Sequence, residues 1–453
     1  MRRHPQGTTP PDRPLPGDRA ALPLDLIRHV EVALDVAGRA LDLALRDDAP
    51  GAERTATDPA PLTLSKVVAE TTMLLRVATP LGRTHPRIAR TITRLIHQVA
   101  PLARGEELLA LLCREPAMAL DRAAAHLHLR DLGHDDDGVD RLLAMALHAE
   151  SAGSPERLPN HELEHEWLRS KWNRTPDPTR LETLLARTCA EGPIDALGAT
   201  TADLYALTHV VLYATDMGAR PVAWPRPLAE LATDAEAGLA ATLDADNLDL
   251  TAELLWTWPM LRMPWSPIAT FAFDVLAGAV DEHGFVPGPG YRSAVVATLP
   301  SPDAEAYALR TSYHATFVFG FVAAVSAHTG CVPTFDLALT PWSRTPTPSG
   351  VVDGLLRLVR REDRPRPWLD AFERVPAPHR PPLADLLVTT ALRRAYAAND
   401  LAAVREALQV ASEGDLLRGP AVRQAAALLR RVAILAQLTD RAPGATLVGR
   451  DCA

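Results

Sequence analysis

Lysine is almost missing from this chain of 453 residues, with Lys66 and Lys171 as its only examples. Arginine supplies the other basic charges, and alanine, leucine and proline are abundant, a composition typical of a GC-rich bacterial genome. The arginine content therefore says nothing about guanidinium chemistry at any one position. The formal net charge is -9 and no basic stripe stands out, so a nucleic-acid partner is not expected.

Further absences narrow the class of protein. The four cysteines lie far apart and form no CxxC pair, so neither a disulfide framework nor a thiolate zinc site is expected. The sequence has no run of about 18 apolar residues for a membrane span, and no apolar stretch follows the charged N-terminus as in a secretory signal. The G-x-S-x-G, P-loop and Rossmann motifs are missing too. We expect a cytoplasmic protein without a membrane partner.

The apolar pattern predicts helices along most of the chain. Between Asp25 and Leu45 the apolar residues keep a helical spacing with charged residues between them, and similar segments recur as far as Leu438. No segment alternates apolar and polar residues over a strand's length, so no sheet is expected. We predict an all-α protein, a helical-hairpin array arranged as an α/α toroid or an α-solenoid.

Composition also predicts how the chain is divided. Residues 1–20 are rich in proline and charge and predict a disordered leader. A main helical domain with a central cavity is expected over residues 21–340. The proline-rich connectors that follow mark a C-terminal helical extension over 341–438 and a disordered tail over 439–453.

A polar stripe interrupts the apolar helix predicted over residues 201–216. Tyr205, His209 and Asp216 return to one face at steps of three and four residues. A later segment, EAYAL, echoes the DLYAL of this helix and leads into a second histidine. We expect the two helices to face each other across a cavity. The candidate catalytic residues are Tyr205, His209, Asp216, Tyr307, Arg310 and His314.

These residues admit three interpretations. Nitrogen and oxygen ligands from His209, Asp216 and His314 would suit a divalent metal such as Zn, Fe or Mn. Without a metal, the same groups would serve as an acid and a base. They would also serve as a buried hydrogen-bond network between helices. All three interpretations stay open at the level of sequence.

A second candidate metal site is the segment His161-Glu162-Leu163-Glu164-His165, which matches H-E-x-x-H. The surrounding residues are charged rather than apolar, and a third ligand would have to be Glu182 or Glu191. The pattern is more typical of an amphipathic helix that begins at an Asn160 cap. Because the spacing matches H-E-x-x-H, His161 and His165 are still kept as alternative metal ligands.

One local signal concerns an acidic turn, LGHDDDGVD, at residues 132–140. It lacks the alternating ligands of a calcium loop. We predict instead that Asp136 or Asp137 caps the helix that follows.

The segment LTHVVLYATDMG, with HEWL before it and SYH after it, resembles a family of uncharacterised actinobacterial all-helical proteins, some of them from natural-product gene clusters. The resemblance covers most of residues 20–440 and implies no established activity and no assigned catalytic residues. The helix ending VDEHGFVPGPG at residues 280–290 is loosely similar to the helix-then-glycine turn of α/α-toroid enzymes, whose zinc ligand sets and aspartate-rich motif are absent here.

Together these features predict a tailoring enzyme of bacterial specialised metabolism. It would act on a small or peptide substrate in a helical-toroid cavity, with or without a metal. The alternative is a non-catalytic helical-repeat interaction protein. A zinc hydrolase that uses His161, Glu162 and His165 is a further alternative.

Overall fold

The computed structural model describes residues 24–49, 59–149, 155–334, 347–361 and 366–440. Within these ranges the chain forms helices joined by turns and has no β-strand, which confirms the all-α prediction. The predicted leader at residues 1–20 lies outside the described residues, as do residues 441–453 of the predicted tail. No helix of the described ranges is both long and apolar enough to cross a membrane.

The helices follow one another through the whole described chain. The first group is α1 Leu24–Asp47, α2 Leu64–Gly82, α3 Pro86–Leu102, α4 Glu106–Arg114, α5 Ala119–Arg122, α6 Ala124–Asp131, α7 Asp137–Leu147, α8 Pro159–Trp172 and α9 Pro178–Leu185. The second group is α10 Thr201–Ala214, α11 Leu228–Asp244, α12 Leu248–Leu255, α13 Thr257–Leu261, α14 Pro267–His283, α15 Ser293–Val296 and α16 Ser301–Thr329. The third group is α17 Ser349–Val359, α18 Pro367–Arg374, α19 Ala384–Ala397, α20 Leu401–Glu413 and α21 Pro420–Asp440.

The longest helix, α16, is the element around which the core is packed. It contacts α1 along its length and also packs against α2, α12 and α13. Because α1 and α16 lie far apart in sequence, the chain folds back on itself. Repeats of an open solenoid contact mainly their sequence neighbours, so this contact favours a closed helical arrangement.

A close approach between α1 and α16 depends on Gly320. A Cβ placed at Gly320 would lie 2.2 Å from the Cβ of Ala33, which is fully buried on α1. Two small residues at one helix crossing let the backbones come near each other. The register of α1 on α16 is thereby fixed by sterics.

The C-terminal helices pack as a group and also against the rest of the chain. α19 contacts α17, α20 and α21, and it contacts α11 as well. α18 packs against α14. Because these helices contact the preceding ones directly, the contacts do not separate a main domain from a C-terminal extension. That division stays a prediction.

One predicted capping signal is confirmed. The Asp136 carboxylate accepts hydrogen bonds from the backbone N–H groups of Gly138 and Val139, at the start of α7. The acidic turn therefore has a structural role, because the Asp136 side chain satisfies backbone N–H groups of the first helical turn that have no partner within the helix.

Candidate carboxylate and histidine site

A capping box at the start of α10 accounts for one of that helix's polar residues. The Thr200 hydroxyl accepts a hydrogen bond from the backbone N–H of Asp203, and the Asp203 carboxylate accepts one from the backbone N–H of Thr200. The cap fixes where the helix begins. Tyr205 and Thr208 are thereby placed opposite α12, to which both donate hydrogen bonds.

Asp249, on α12, connects three helices. Its Oδ2 accepts a hydrogen bond from the Tyr205 hydroxyl on α10 at 3.1 Å. Its Oδ1 accepts one from Nδ1 of His314 on α16 at 2.6 Å. Both oxygens of this almost buried carboxylate are therefore satisfied, as a charged group inside a protein requires. Tyr205 and His314 do meet, through a residue that the sequence pattern did not indicate.

Glu253 lies one turn further along α12, with its side chain only 3% exposed. The Thr208 hydroxyl donates to its Oε2 at 2.7 Å. Its Oε1 takes no hydrogen bond from any residue of the described ranges. An almost completely buried carboxyl group thus keeps one oxygen unpaired beside Asp249 and His314.

His209 approaches Glu253 from α10. Its Nδ1 lies 3.6 Å from Oε2 of Glu253 and 2.8 Å from the carbonyl oxygen of Tyr205. A carbonyl oxygen can only accept a hydrogen bond. Nδ1 of His209 therefore carries a proton and donates a hydrogen bond to the backbone carbonyl oxygen of Tyr205. The tautomer is thereby fixed, and Nε2 of His209 is left as the basic nitrogen.

Glu70, on α2, faces the second ring nitrogen of His314. Its Oε1 lies 3.6 Å from Nε2 of His314 and 3.6 Å from Nζ of Lys66, and the Tyr313 hydroxyl lies beside its carboxylate. Its Oε2 is buried and makes no hydrogen bond in the described structure. Three acidic side chains, those of Glu70, Asp249 and Glu253, therefore surround one imidazole.

The charges of His314 and Asp249 stabilise each other. Burial opposes the charge on His314, but its hydrogen bond to Asp249 and the neighbouring carboxylates outweigh burial and raise its pKa to about 9. Burial likewise opposes the charge on Asp249, yet the hydrogen bonds from His314 and Tyr205 hold its pKa below the ordinary value. At neutral pH the metal-free pair is an imidazolium and a carboxylate.

Glu253 and His209 are shifted toward their neutral forms. Burial raises the pKa of Glu253 to about 8, and the nearby Asp249 carboxylate adds to the shift. Burial lowers the pKa of His209 below its ordinary value. The metal-free cluster therefore holds a carboxylic acid and a neutral imidazole 3.6 Å apart at neutral pH.

The cluster is within reach of solvent. The side chains of His209 and His314 are 32% and 30% exposed, whereas Asp249 and Glu253 lie beneath them. A small ligand that approaches the imidazoles would therefore meet the two carboxyl groups behind them.

The donor atoms have the composition of a metal site. One ligand atom each of Asp249, Glu253 and His314 lies within 4.8 Å of the other two. In the described part of the chain, this is the one such group of histidine, cysteine and acidic residues. The predicted set of His209, Asp216 and His314 is therefore not brought together as ligands.

Asp216 lies in a different environment from the cluster. It follows the end of α10 with a φ of 51°, a left-handed conformation that turns the chain away from the helix. Its carboxylate accepts a hydrogen bond from Trp167 at 2.6 Å and forms ion pairs with Arg76 and Lys171. The helical spacing that placed Asp216 with His209 does not extend to this residue.

The other two predicted residues on α16 also take different partners. The Tyr307 hydroxyl donates to the carbonyl oxygen of Gly290 at 3.1 Å. Arg310 forms two hydrogen bonds with Asp47 at the end of α1, at 3.1 and 2.5 Å. Both contacts tie α16 to its surroundings, so neither side chain contributes to the cluster.

The H-E-x-x-H histidines are not arranged as a metal pair in the described structure. His161 is exposed, while His165 is buried with its Nδ1 3.6 Å from Asp121. The predicted Asn160 cap is wrong, because the helix starts at Pro159 with Leu158 as the N-cap residue. The motif is thus part of α8, which buries Leu163, Trp167 and Leu168 as well as His165.

Sequence reasoning missed the three acidic residues of the cluster. Asp249 and Glu253 stand one turn apart in the apolar segment LDLTAELLW, and Glu70 stands in the apolar segment VVAETTMLL. An acidic side chain on an apolar helix is itself a signal, because an unpaired buried charge is strongly unfavourable. The signal identifies the residues but not which helices face each other.

Fold and site together define an all-α protein with a carboxylate and histidine cluster between packed helices. The family model DUF6895, a domain of unknown function, matches residues 32–324, which is more than half of the chain. The chain therefore belongs to the DUF6895 family, and the whole cluster lies within the matched residues. No curated protein and no solved structure matches the chain.

Proposed function

We propose that this protein is a metal-dependent enzyme that holds one divalent ion between Asp249, Glu253 and His314. The observation that carries the proposal is the convergence of their three ligand atoms within 4.8 Å. Ligands of one ion at about 2.1 Å lie roughly 3 to 4 Å from each other, so small side-chain movements would complete the site. The predicted ion, Zn, Fe or Mn, suits a set of two carboxylates and one imidazole.

Neighbouring side chains support this role by orienting the proposed ligands. Tyr205 donates to Asp249, and Thr208 donates to Glu253. Hydrogen bonds of this kind hold metal ligands in position in known metal sites. Oε1 of Glu253 makes no hydrogen bond within the described ranges, so this oxygen can coordinate an ion without losing a protein contact.

The chemistry that such a centre supports is hydrolysis of a small molecule or a peptide. A bound divalent ion lowers the pKa of a coordinated water and supplies a nucleophile at neutral pH. His209 lies beside Glu253 and offers its neutral Nε2 as a proton acceptor. A tailoring role in specialised metabolism is one setting for such a reaction.

The metal content of the full chain, purified without a histidine tag, tests the proposal. We expect about one equivalent of Zn, Fe or Mn per chain in the wild type. Glu253→Gln keeps the side-chain shape and should lose at least about 90% of the metal, because an amide is a much weaker ligand than a carboxylate. His97→Ala is the matched control, since His97 is exposed on α3 and outside the cluster.

Two results would reject the metal centre. One is a wild-type chain that holds no metal even after incubation with each of the three ions. The other is Glu253→Gln protein that keeps the wild-type amount. Either outcome would favour the non-catalytic alternative, a helical interaction protein in which the cluster only connects helices. Circular dichroism of each variant checks that it is folded.

A further inference from the structure

A basic cleft lies away from the proposed metal site, between α2, α6, α8 and the turn after α10. Its volume is about 500 Å³, in the range of small-molecule sites. Five basic side chains line it, those of Arg76, Arg130, Lys171, Arg174 and Arg220. Such a concentration stands out in a chain whose net charge is -9.

Two of these cations form a closed ring of ion pairs with two aspartates. Arg76 lies 3.0 Å from Asp131 and 2.6 Å from Asp216. Lys171 lies 2.6 Å from Asp131 and 2.9 Å from Asp216, over the face of the Trp167 ring. The ring is balanced in charge, and all four of its residues line the cleft.

Two further cations also have acidic partners. Arg130 lies 3.3 Å from Asp140, and Arg174 lies 2.5 Å from Asp135. With the two aspartates of the ring, four carboxylates thus pair with four of the five basic side chains. The fifth basic side chain of the cleft has no carboxylate of a described residue within ion-pair distance.

The unmatched cation is Arg220. Its Nε donates to the carbonyl oxygen of Ala214 at 2.9 Å, which fixes the guanidinium at the cleft. It forms no ion pair with any described residue. Burial, with the positive charge of Arg76, lowers the pKa of Arg220 from its ordinary value and outweighs the opposite effect of the Asp216 and Glu166 carboxylates.

We propose that this cleft binds the phosphate group of a small molecule, with Arg220 as the main contact and Arg174 at its exposed side. The planar guanidinium group offers parallel N–H donors that match two phosphate oxygens, and both arginines line the same cleft. The added negative charge would balance Arg220. The site does not depend on the metal centre, since it uses other residues.

Isothermal titration of the full chain with inorganic phosphate tests the site. The protein is first treated with a chelator, so that phosphate cannot bind through a metal, and the ionic strength is held constant. We expect Arg220→Gln to weaken phosphate binding by about tenfold and Arg174→Gln to weaken it by a smaller factor. Arg405→Gln is the control, because Arg405 is exposed on α20 far along the chain.

Further arms of the titration separate the phosphate site from metal binding and from general attraction of anions. Glu253→Gln should bind phosphate like the wild type, which keeps this result separate from the metal proposal. Acetate should bind at least about tenfold more weakly than phosphate. Equal binding of acetate, equal binding by Arg220→Gln, or no binding by the wild type would each overturn the assignment. Circular dichroism verifies that Arg220→Gln is folded, and Arg174→Gln, at an exposed position, gives a second reading.

Discussion

At the scale of single residues, Glu253 shows how burial sets ionisation. Its carboxyl group has one hydrogen bond from Thr208 and is almost completely enclosed. The nearby Asp249 keeps its own negative charge, because His314 and Tyr205 donate to it. Two carboxyl groups in one small site cannot both ionise easily. Glu253 therefore keeps its proton in the metal-free protein.

This state predicts how stability changes with pH. The pKa of Glu253 is about 8 in the folded chain against an ordinary 4.5, so folding takes up a proton between these values. Its contribution to stability is complete below pH 4.5 and is lost as the pH rises toward 8, at about 1.4 kcal/mol per pH unit. Glu253→Gln should remove this slope. Urea unfolding of chelator-treated protein between pH 5 and about 7.5 measures it.

His314 adds a second contribution to the change of the free energy of unfolding with pH, and this contribution serves as a check within the same experiment. Its raised pKa of about 9 means that its contribution is complete below pH 6.5 and is lost as the pH rises toward 9. Glu253→Gln should keep this part of the pH dependence. A variant whose stability falls with pH as steeply as that of the wild type would contradict the assignment to Glu253.

At the scale of helices, the contact between α1 and α16 imposes a tight steric constraint. Gly320 faces the Cβ of Ala33 at the crossing of the two helices. The added Cβ of an alanine would overlap Ala33, and overpacking of a tight core costs about 1 to 3 kcal/mol. Helix propensity alone would favour alanine by about 1 kcal/mol.

After the gain in helix propensity is subtracted, Gly320→Ala should lower the free energy of unfolding by up to about 2 kcal/mol. Gly278→Ala is the matched control, because Gly278 lies in α14 and its added Cβ would meet nothing within 4 Å. That control should stabilise the protein by up to about 1 kcal/mol. Urea unfolding of both variants measures the difference. If Gly320→Ala were as stable as Gly278→Ala, the close packing of α1 on α16 would be refuted.

Helices were predictable from sequence, because apolar periodicity is a local property. The segment from Asp25 to Leu45 is found within α1, which spans Leu24–Asp47. Helix ends were less predictable. The Asn160 cap failed because Pro159 fits the first turn of a helix, where its missing N–H is not needed.

The candidate site was predictable in part. Tyr205, His209 and His314 take part in the cluster, whereas Asp216 does not. The left-handed turn at Asp216 ends the helix early, and periodicity alone cannot detect that change. Asp249 and Glu253 were missed because their role depends on which distant helices pack beside α12. That packing is a property of the whole fold.

At the scale of the whole molecule, the proposed metal centre links ion binding to protons. The metal-free cluster holds one proton on His314 and one on Glu253 at neutral pH, and both must leave when the two residues bind an ion. We therefore expect metal affinity to increase as the pH rises from 6.5 to 8.5. The bound ion should also raise the melting temperature, since it binds the folded chain.

The proposed metal centre is tested most sharply by calorimetric titration of the chelator-treated full chain with Mn²⁺ at pH 6.5 and 8.5. Experiments in two buffers of different ionisation enthalpy count the released protons. We expect one ion per chain, tighter binding at pH 8.5, proton release, and at least tenfold weaker binding by Glu253→Gln but not by His97→Ala. Binding that is absent in the wild type, or unchanged in Glu253→Gln, would contradict the metal centre.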